Sequence, residues 1–148
     1  MLSVDPVKDL NVKVWGNTGK ETVTSGIKNT AVGFGADYKI SGFHFAAEYG
    51  QNNQKNSVLA TATKSRDYYL HGSYAIPQTA VQLVARYDNF DDDTKTAVAG
   101  NKAQKITTVG LNWDFEKDAR LQIMQELKSE KPTSVKNNDT MIQLSVRF

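Results

Sequence analysis

Apolar and polar side chains alternate along almost the whole chain, and this two-residue period constrains the fold more than any other feature of the sequence. Successive side chains of a β-strand point to opposite faces, so a period of two predicts strands with one apolar and one polar face. Alternation is found at residues 10–17, 30–40, 43–49, 67–76, 81–88, 107–115, 120–128 and 141–148. The sequence therefore predicts an all-β protein of eight strands.

The links between these segments are alternately short and long. The short links are residues 41–42, 77–79 and 116–118, and the long, polar links are residues 18–29, 51–66, 89–104 and 129–139. An even number of antiparallel strands places every short turn and both termini on one side. Outer-membrane barrels have this layout, with short periplasmic turns and long extracellular loops. We therefore expect a single domain over residues 1–148, a closed, antiparallel, up-and-down transmembrane β-barrel.

Aromatic side chains on the predicted apolar faces gather near the two ends of the strands. Rings with a polar edge prefer the headgroup level of a bilayer, whereas a soluble sandwich or lipocalin-like barrel has no need to sort its aromatics in this way. The predicted membrane girdle consists of Tyr38, Phe43, Tyr74, Trp113 and Phe115 at the short-turn end and Tyr49, Tyr68 and Tyr87 at the long-loop end. The two belts favour a lipid-facing apolar surface.

Composition excludes several classes of protein. The chain has no cysteine, which rules out a disulfide scaffold, a cysteine-based zinc site and a thiol nucleophile. Its net charge of +2 is too small for a nucleic-acid-binding surface. No apolar run approaches the ~20 residues of a membrane helix. We expect no nucleic-acid partner and no cofactor.

Two short motifs could carry chemistry, but both are incomplete. The segment from His71 to Ser73 places an imidazole and a hydroxyl on one face of a strand, without an assignable carboxylate partner or oxyanion donor. The acidic run at residues 91–93 has Thr96 and Lys102 where a calcium loop has its glycine and distal glutamate. We therefore expect neither an enzyme nor a metal site.

The polar faces are predicted to line the interior of the barrel. The residues assigned to this lining are Lys13, Trp15, Asp37, Lys39, His44, Glu48, Asp67, His71, Arg86, Asp88, Asp114, Arg120, Glu126, Lys128 and Arg147. Their Lys and Arg residues equal their Asp and Glu residues in number, whereas an anion-selective pore needs an excess of Lys and Arg.

Two contacts between lining residues and their neighbours can be predicted in detail. With residues 116–118 as a three-residue loop, Asp114 lies directly across from Arg120, and the two are expected to form an ion pair. Trp15 faces the strand that carries Gly33 and Gly35. We expect the ring to cover the bare backbone there.

The end of the chain resembles the terminal strand of bacterial outer-membrane barrels, which close with an aromatic residue that the barrel assembly machinery reads. The resemblance assigns this assembly signal to Ile142, Leu144, Val146 and Phe148. Residues 83–88 and 108–113 are similar to C-terminal hairpins of the phosphate-selective porin family, and the similarity covers about residues 65–148. It implies an integral protein of the Gram-negative outer membrane, in contact with lipid and lipopolysaccharide. Porins of that family are longer, so the chain is either a small barrel or the C-terminal half of a larger one.

Two functions remain open at this point. A porin-like channel would pass small hydrophilic solutes or ions, and it needs a lumen wider than that of eight strands. A small barrel with a plugged, salt-bridged lumen would instead act as a structural or surface-interaction protein through its long loops. The sequence leaves the oligomeric state open, and we expect the last strand to close on residues 10–17.

Overall fold

The structure is a computed structural model that describes residues 1–20, 26–59, 61–92, 94, 103–131 and 137–147. These residues form one antiparallel sheet of nine strands, whose order in the sheet follows the chain. The strands are β1 (Leu2–Val7), β2 (Leu10–Lys20), β3 (Ile27–Ile40), β4 (Phe43–Asn56), β5 (Thr61–Ala75), β6 (Val81–Asp91), β7 (Ala103–Glu116), β8 (Ala119–Lys131) and β9 (Asp139–Val146). The predicted all-β, up-and-down fold class is confirmed. No helix in the described ranges could cross a membrane.

The predicted strand number of eight is wrong because β1 precedes the expected first strand. Leu2 pairs with Val14 and Val4 with Val12, so β1 covers the edge of β2 that the C-terminal strand was expected to fill. The sequence signal of β1 is weak, since the strand has six residues and includes Pro6, a residue depleted from strands. The register of β1 against β2 shifts between Val4 and Val7, around this proline.

The expected closure is also wrong for the part of the chain that the structure describes. There β1 pairs only with β2, and β9 pairs only with β8, so the sheet is open. Because the sheet has an odd number of antiparallel strands, β1 and β9 run in the same direction, toward the short turns. The chain therefore enters the sheet beside Val14 and leaves it at the short-turn end, rather than having both termini there.

Much of the predicted long-loop sequence is strand. β4 extends to Asn56 and β5 begins at Thr61, so most of residues 51–66 pair across the two strands, as Asn52 does with Ser65. These extensions are polar on both faces, which hides the two-residue period on which the prediction relied. Strands of 13–15 residues are longer than the ~9–11 that cross a bilayer, so their polar ends project beyond the apolar zone.

The short turns lie together at the opposite end of the sheet, at residues 8–9, 41–42, 76–80 and 117–118. Ser41 and Gly42 have positive φ angles of 47° and 83°, as the two-residue hairpin predicted there requires. The turn before β8 has two residues rather than the three expected. Glu116 pairs with Ala119, and a register shift after Trp113 absorbs the difference.

The sheet has no buried apolar side chain among its described residues. Leu70, Leu83 and Leu144 are 55%, 48% and 62% exposed, although each points to the face that carries the aliphatic residues. A soluble sandwich buries this face, so the soluble alternative does not fit. We call this surface the apolar face and the opposite surface the polar face.

Candidate functional site

The register of the strands brings the predicted lining residues to the polar face. Paired positions on this face run from Lys13 through Gly35 and Glu48 to Tyr69 and Asp88. The other predicted lining residues within strands follow the same alternation, and Arg147 lies one residue beyond β9. Their role in lining a channel stays a prediction, but their common face is a property of the structure.

Glu48 on β4 is the centre of a network that spans β2 to β5. Lys13 Nζ donates to Glu48 Oε2 at 2.5 Å, and Trp15 Nε1 donates to Oε1 at 3.1 Å. Tyr69 Oη donates to Oε2 at 3.4 Å. The Lys13 and Glu48 side chains remain 31% and 23% exposed, so the pair lies on a solvated surface, the polar face, rather than in a dry core.

The network continues to β6 through an aromatic contact. The Arg86 guanidinium lies 4.4 Å from the centre of the Tyr69 ring, and it donates from Nε and Nη2 to the Asp88 carboxylate at 2.6–3.0 Å. Tyr69 was not among the predicted lining residues, since the sequence offers no partner for its hydroxyl. Stacking and ion pairing together hold Arg86 against the wall.

Trp15 covers Gly33, as predicted, whereas Gly35 is covered by Lys13 instead. A Cβ atom built on Gly33 would overlap the indole ring of Trp15 and lie 2.6 Å from the Tyr49 carbonyl oxygen. A Cβ on Gly35 would lie 2.7 Å from Cε of Lys13. The two glycines therefore leave the space in which Trp15 and Lys13 reach Glu48.

Two histidines face each other on the same side of the sheet. His44 Nε2 lies 2.5 Å from Asp37 Oδ2, and the rings of His44 and His71 are 5.4 Å apart. Lys39 is directly opposite His44 in the register, but the imidazole turns to the carboxylate instead. Ser73 Oγ accepts a hydrogen bond from Gln82 Nε2, and no contact joins it to His71 among the described residues.

A ladder of neutral side chains crosses β5 to β8 near the short turns. Gln82 Nε2 donates to Ser73 Oγ at 3.0 Å, Asn112 Nδ2 donates to Gln82 Oε1 at 2.9 Å, and Gln122 Nε2 donates to Asn112 Oδ1 at 2.8 Å. Ser73 and Asn112 are each only 6% exposed. This ladder cannot be predicted from the sequence, because isolated amides carry no distinctive spacing.

The remaining ion pairs of the polar face also join neighbouring positions. Arg120 binds Asp114 through two hydrogen bonds of 2.5 and 2.9 Å, which confirms the predicted pair despite the different turn. Lys128 contacts Glu126 at 3.2 Å and also forms an ion pair with Asp139. All these pairs join residues of the same strand or of strands at most two apart.

The polar face carries more acids than the sequence analysis assigned to it. Asp5 accepts from Asn11 Nδ2 at 2.8 Å, Glu130 accepts from Gln104 Nε2 at 3.1 Å, and Asp139 pairs with Lys128. Asp5 precedes the first strand that the sequence predicts, and Glu130 and Asp139 lie in the predicted long link at residues 129–139. With them, the described polar face has nine carboxylates against six Lys and Arg residues, so the predicted charge balance is wrong there.

One recess of about 620 Å³ lies on the polar face. Its lining comes from six successive strands, from His44 on β4 to Met141 on β9. Strands so far apart in a sheet border a single recess only when the sheet curves toward that side. The polar face is therefore the inner surface of a curved wall. Within the described residues no group of acidic or histidine side chains could hold a metal ion.

The apolar face carries the predicted girdle in two clusters. Phe43 stacks on Tyr74 at 4.3 Å and Trp113 lies 5.3 Å from Phe115 at the short-turn end. At the other end the rings of Tyr68 and Tyr87 are 6.0 Å apart, and Tyr49 lies 5.4 Å from Phe34, which was not assigned to the girdle. Tyr38 lies on the same face, beside Phe45.

The predicted assembly signal is described in part. Ile142, Leu144 and Val146 share the apolar face and are 69%, 62% and 49% exposed. Phe148 lies outside the described residues. Recognition of this strand by an assembly machinery stays a prediction.

The sequence matches the model of a family described as Gram-negative porin over residues 1–130. The chain belongs to the Gram-negative porin family. It is therefore an integral protein of the outer membrane. Its family is one of porin-like channel proteins and not of enzymes. The match confirms the expected outer-membrane porin and extends it to the N-terminal strands, whereas the noted similarity began near residue 65. A search of curated proteins gives no match.

Proposed function

We propose that the polar face of this porin lines a water-filled passage for small hydrophilic solutes and ions. The observation that carries the proposal is the disposition of its ion pairs. Lys13 with Glu48, Arg86 with Asp88 and Arg120 with Asp114 lie along the wall and keep 23–47% of each side chain exposed. Side chains held against the wall leave the space in front of them to water.

The alternative function, a plugged eight-stranded barrel, is less well supported. Its lumen would be filled by side chains that meet across the interior, and charges in such an interior would be buried. The ion pairs instead join residues of the same or nearby strands, and nine strands already exceed the count of that alternative.

The excess of carboxylates on the polar face favours cations over anions in the passage. Charged rings set the sign of the ions that a pore attracts, and most of the Lys and Arg residues on this face are neutralised by neighbours. We therefore expect a weak preference for K⁺ over Cl⁻ rather than phosphate selectivity.

The test is conductance of the porin, purified in detergent from the outer membrane and reconstituted into planar bilayers. Stepwise conductance with a reversal potential of cation-preferring sign supports the proposal. A folded sample that does not conduct contradicts it.

Two carboxylates make the selectivity test specific. Asp67 and Glu130 have no ion-pair partner in the described part of the chain, so Asp67→Asn with Glu130→Gln removes charge without stranding a cation. This variant should shift the reversal potential toward zero. The matched control Asp9→Asn with Asp118→Asn changes the same charge in the short turns and should leave the potential closer to that of the unmodified porin.

A further inference from the structure

The apolar face ends in basic side chains at the long-loop end of the sheet. Past Tyr49, Tyr68 and Tyr87 the strands continue, and their outward residues are neutral or basic, apart from Asp91 in the described ranges. Seven of the described outward residues are basic: Lys20, Lys28, Lys55, Lys64, Arg66, Lys105 and Lys131. We call these residues the basic band.

The basic band contains an unfavourable row of like charges. Lys20 pairs directly with Lys28, and Lys28 pairs directly with Lys55, so three lysines occupy adjacent positions on β2, β3 and β4. Like charges in directly opposite positions destabilise a sheet. None of the three has an ion-pair partner within the described ranges.

Most cations of the polar face are arranged differently. Lys13, Arg86 and Lys128 each contact a carboxylate of the same wall. In the basic band only Arg66 does so, with Asp91 at 3.8 Å. The charge of the band is therefore not neutralised by the described residues, and it is available to an anion outside the chain.

The basic band lies at the height of the lipid headgroups and just above it. Arg66 is two residues from Tyr68, Lys64 is four from Tyr68 and Lys55 is six from Tyr49. At ~3.4 Å per residue these offsets are roughly 7, 14 and 20 Å along the strand, and the strand tilt reduces them to about three quarters in height.

The other end of the apolar face has no such cations among the described residues. It presents Ile40, Phe43, Trp113 and Leu144 up to the short turns. The two ends of the described apolar face therefore differ, and the basic band suits the long-loop end to anionic headgroups.

We propose that the basic band binds the phosphate groups of lipopolysaccharide, the anionic lipid of the outer leaflet. Lysines on adjacent strands are ~4.8 Å apart, so one phosphorylated headgroup can be reached by several ammonium groups at once. Cations at an anionic membrane surface contribute about 1 kcal/mol each to binding. The proposal rests on the outer-membrane location and not on conduction, so failure of the channel test leaves it intact.

The experiment titrates the detergent-solubilised porin with fluorescent lipopolysaccharide at low salt. The test variant is Lys20→Gln, Lys28→Gln, Lys55→Gln, and Lys28→Gln alone is the minimal version. The control Lys8→Gln, Lys39→Gln, Lys117→Gln removes the same charge from the short-turn end. Lys→Arg changes at the three band positions keep the charge. Heat-modifiable gel migration selects folded samples.

The proposal predicts that the triple Gln variant binds lipopolysaccharide about 10- to 100-fold more weakly, while the control and Arg variants bind like the unmodified porin. Dephosphorylated lipopolysaccharide should bind unmodified porin as weakly as the triple variant binds the intact lipid. Equal binding by the triple variant, or by dephosphorylated lipid, overturns the proposal. Displacement by equimolar inorganic phosphate also overturns it, since the band would then be a site for free anions.

Discussion

At the scale of single residues, the space left by Gly33 fixes the most connected part of the wall. The indole of Trp15 lies over this glycine and donates to Glu48, which also receives Lys13. On the far side of Gly33 is the Tyr49 carbonyl oxygen, which belongs to the backbone of β4 and cannot turn away. Any side chain at this position therefore disturbs both a ring and a strand.

We expect Gly33→Ala to destabilise the porin by about 1–3 kcal/mol, the usual cost of inserting atoms into an occupied space. The measurement is the free energy of unfolding in urea, followed by tryptophan fluorescence. Gly19→Ala is the control, because a Cβ there meets nothing within 4 Å. Equal stability of the two variants would show that Trp15 does not lie on Gly33.

An ion pair could be predicted where its two residues flank the same short turn of one hairpin. Asp114 and Arg120 were placed opposite each other from the turn alone, and they form a two-bond ion pair. The links from Glu48 to Lys13, Trp15 and Tyr69 cross several strands, and alternation alone carries no information about register between distant segments.

At the scale of elements, the sequence predicted the strand centres and missed the strand ends. Alternation marks only the part of a strand that has unlike surroundings on its two faces, which is the part in the membrane. β4 continues past Tyr49 through Asn and Gln residues that are polar on both faces, and its backbone pairing with β5 continues with it. β1 alternates from Leu2 to Asp5, but its signal is weak because the strand is short and includes Pro6.

Neighbouring aliphatic residues on β6 test which face meets lipid. Leu83 lies on the apolar face and is 48% exposed, while Val84 lies on the polar face and lines the recess. Leu83→Arg should cost about 2–4 kcal/mol near the middle of the bilayer, whereas Val84→Arg points into water. Folding yield into lipid vesicles measures the difference. Equal yields of the two variants would contradict the assignment of the faces.

At the scale of the whole molecule, the two sheet edges restrict how a barrel can form. An edge in lipid needs a partner, because backbone groups there have no water to bind. β1 and β9 run in the same direction, so direct contact between them would be a parallel seam. A second copy inserted in the same orientation would also form parallel seams. Antiparallel closure of the wall requires an odd number of further strands between β9 and β1.

A disulfide experiment tests this restriction, and the absence of native cysteine makes every crosslink attributable to the introduced pair. Val4→Cys with Ile142→Cys should not crosslink in the folded porin, within or between chains, since the two edges are not in contact. Val4→Cys with Val12→Cys is the positive control, because these residues are directly opposite. Efficient crosslinking of the first pair would show direct closure of β1 on β9.

The charge distribution is also a property of the whole molecule that composition conceals. The net charge of +2 averages a polar face rich in carboxylates and an apolar face that ends in the basic band. The two sets lie on the same strands and are separated by face, as Arg66 and Asp67 are on β5.

The most direct measurement of the central claim is the accessibility of β8, residue by residue, in lipid. Spin labels on single cysteines from Leu121 to Leu127 are read with a water-soluble relaxation reagent and with oxygen, which concentrates in the bilayer. We predict that Gln122, Met124 and Glu126 respond to the aqueous reagent and that Leu121, Ile123 and Leu127 respond to oxygen. A profile without a two-residue period, or with its phase reversed, would contradict a porin wall with water on one face and lipid on the other.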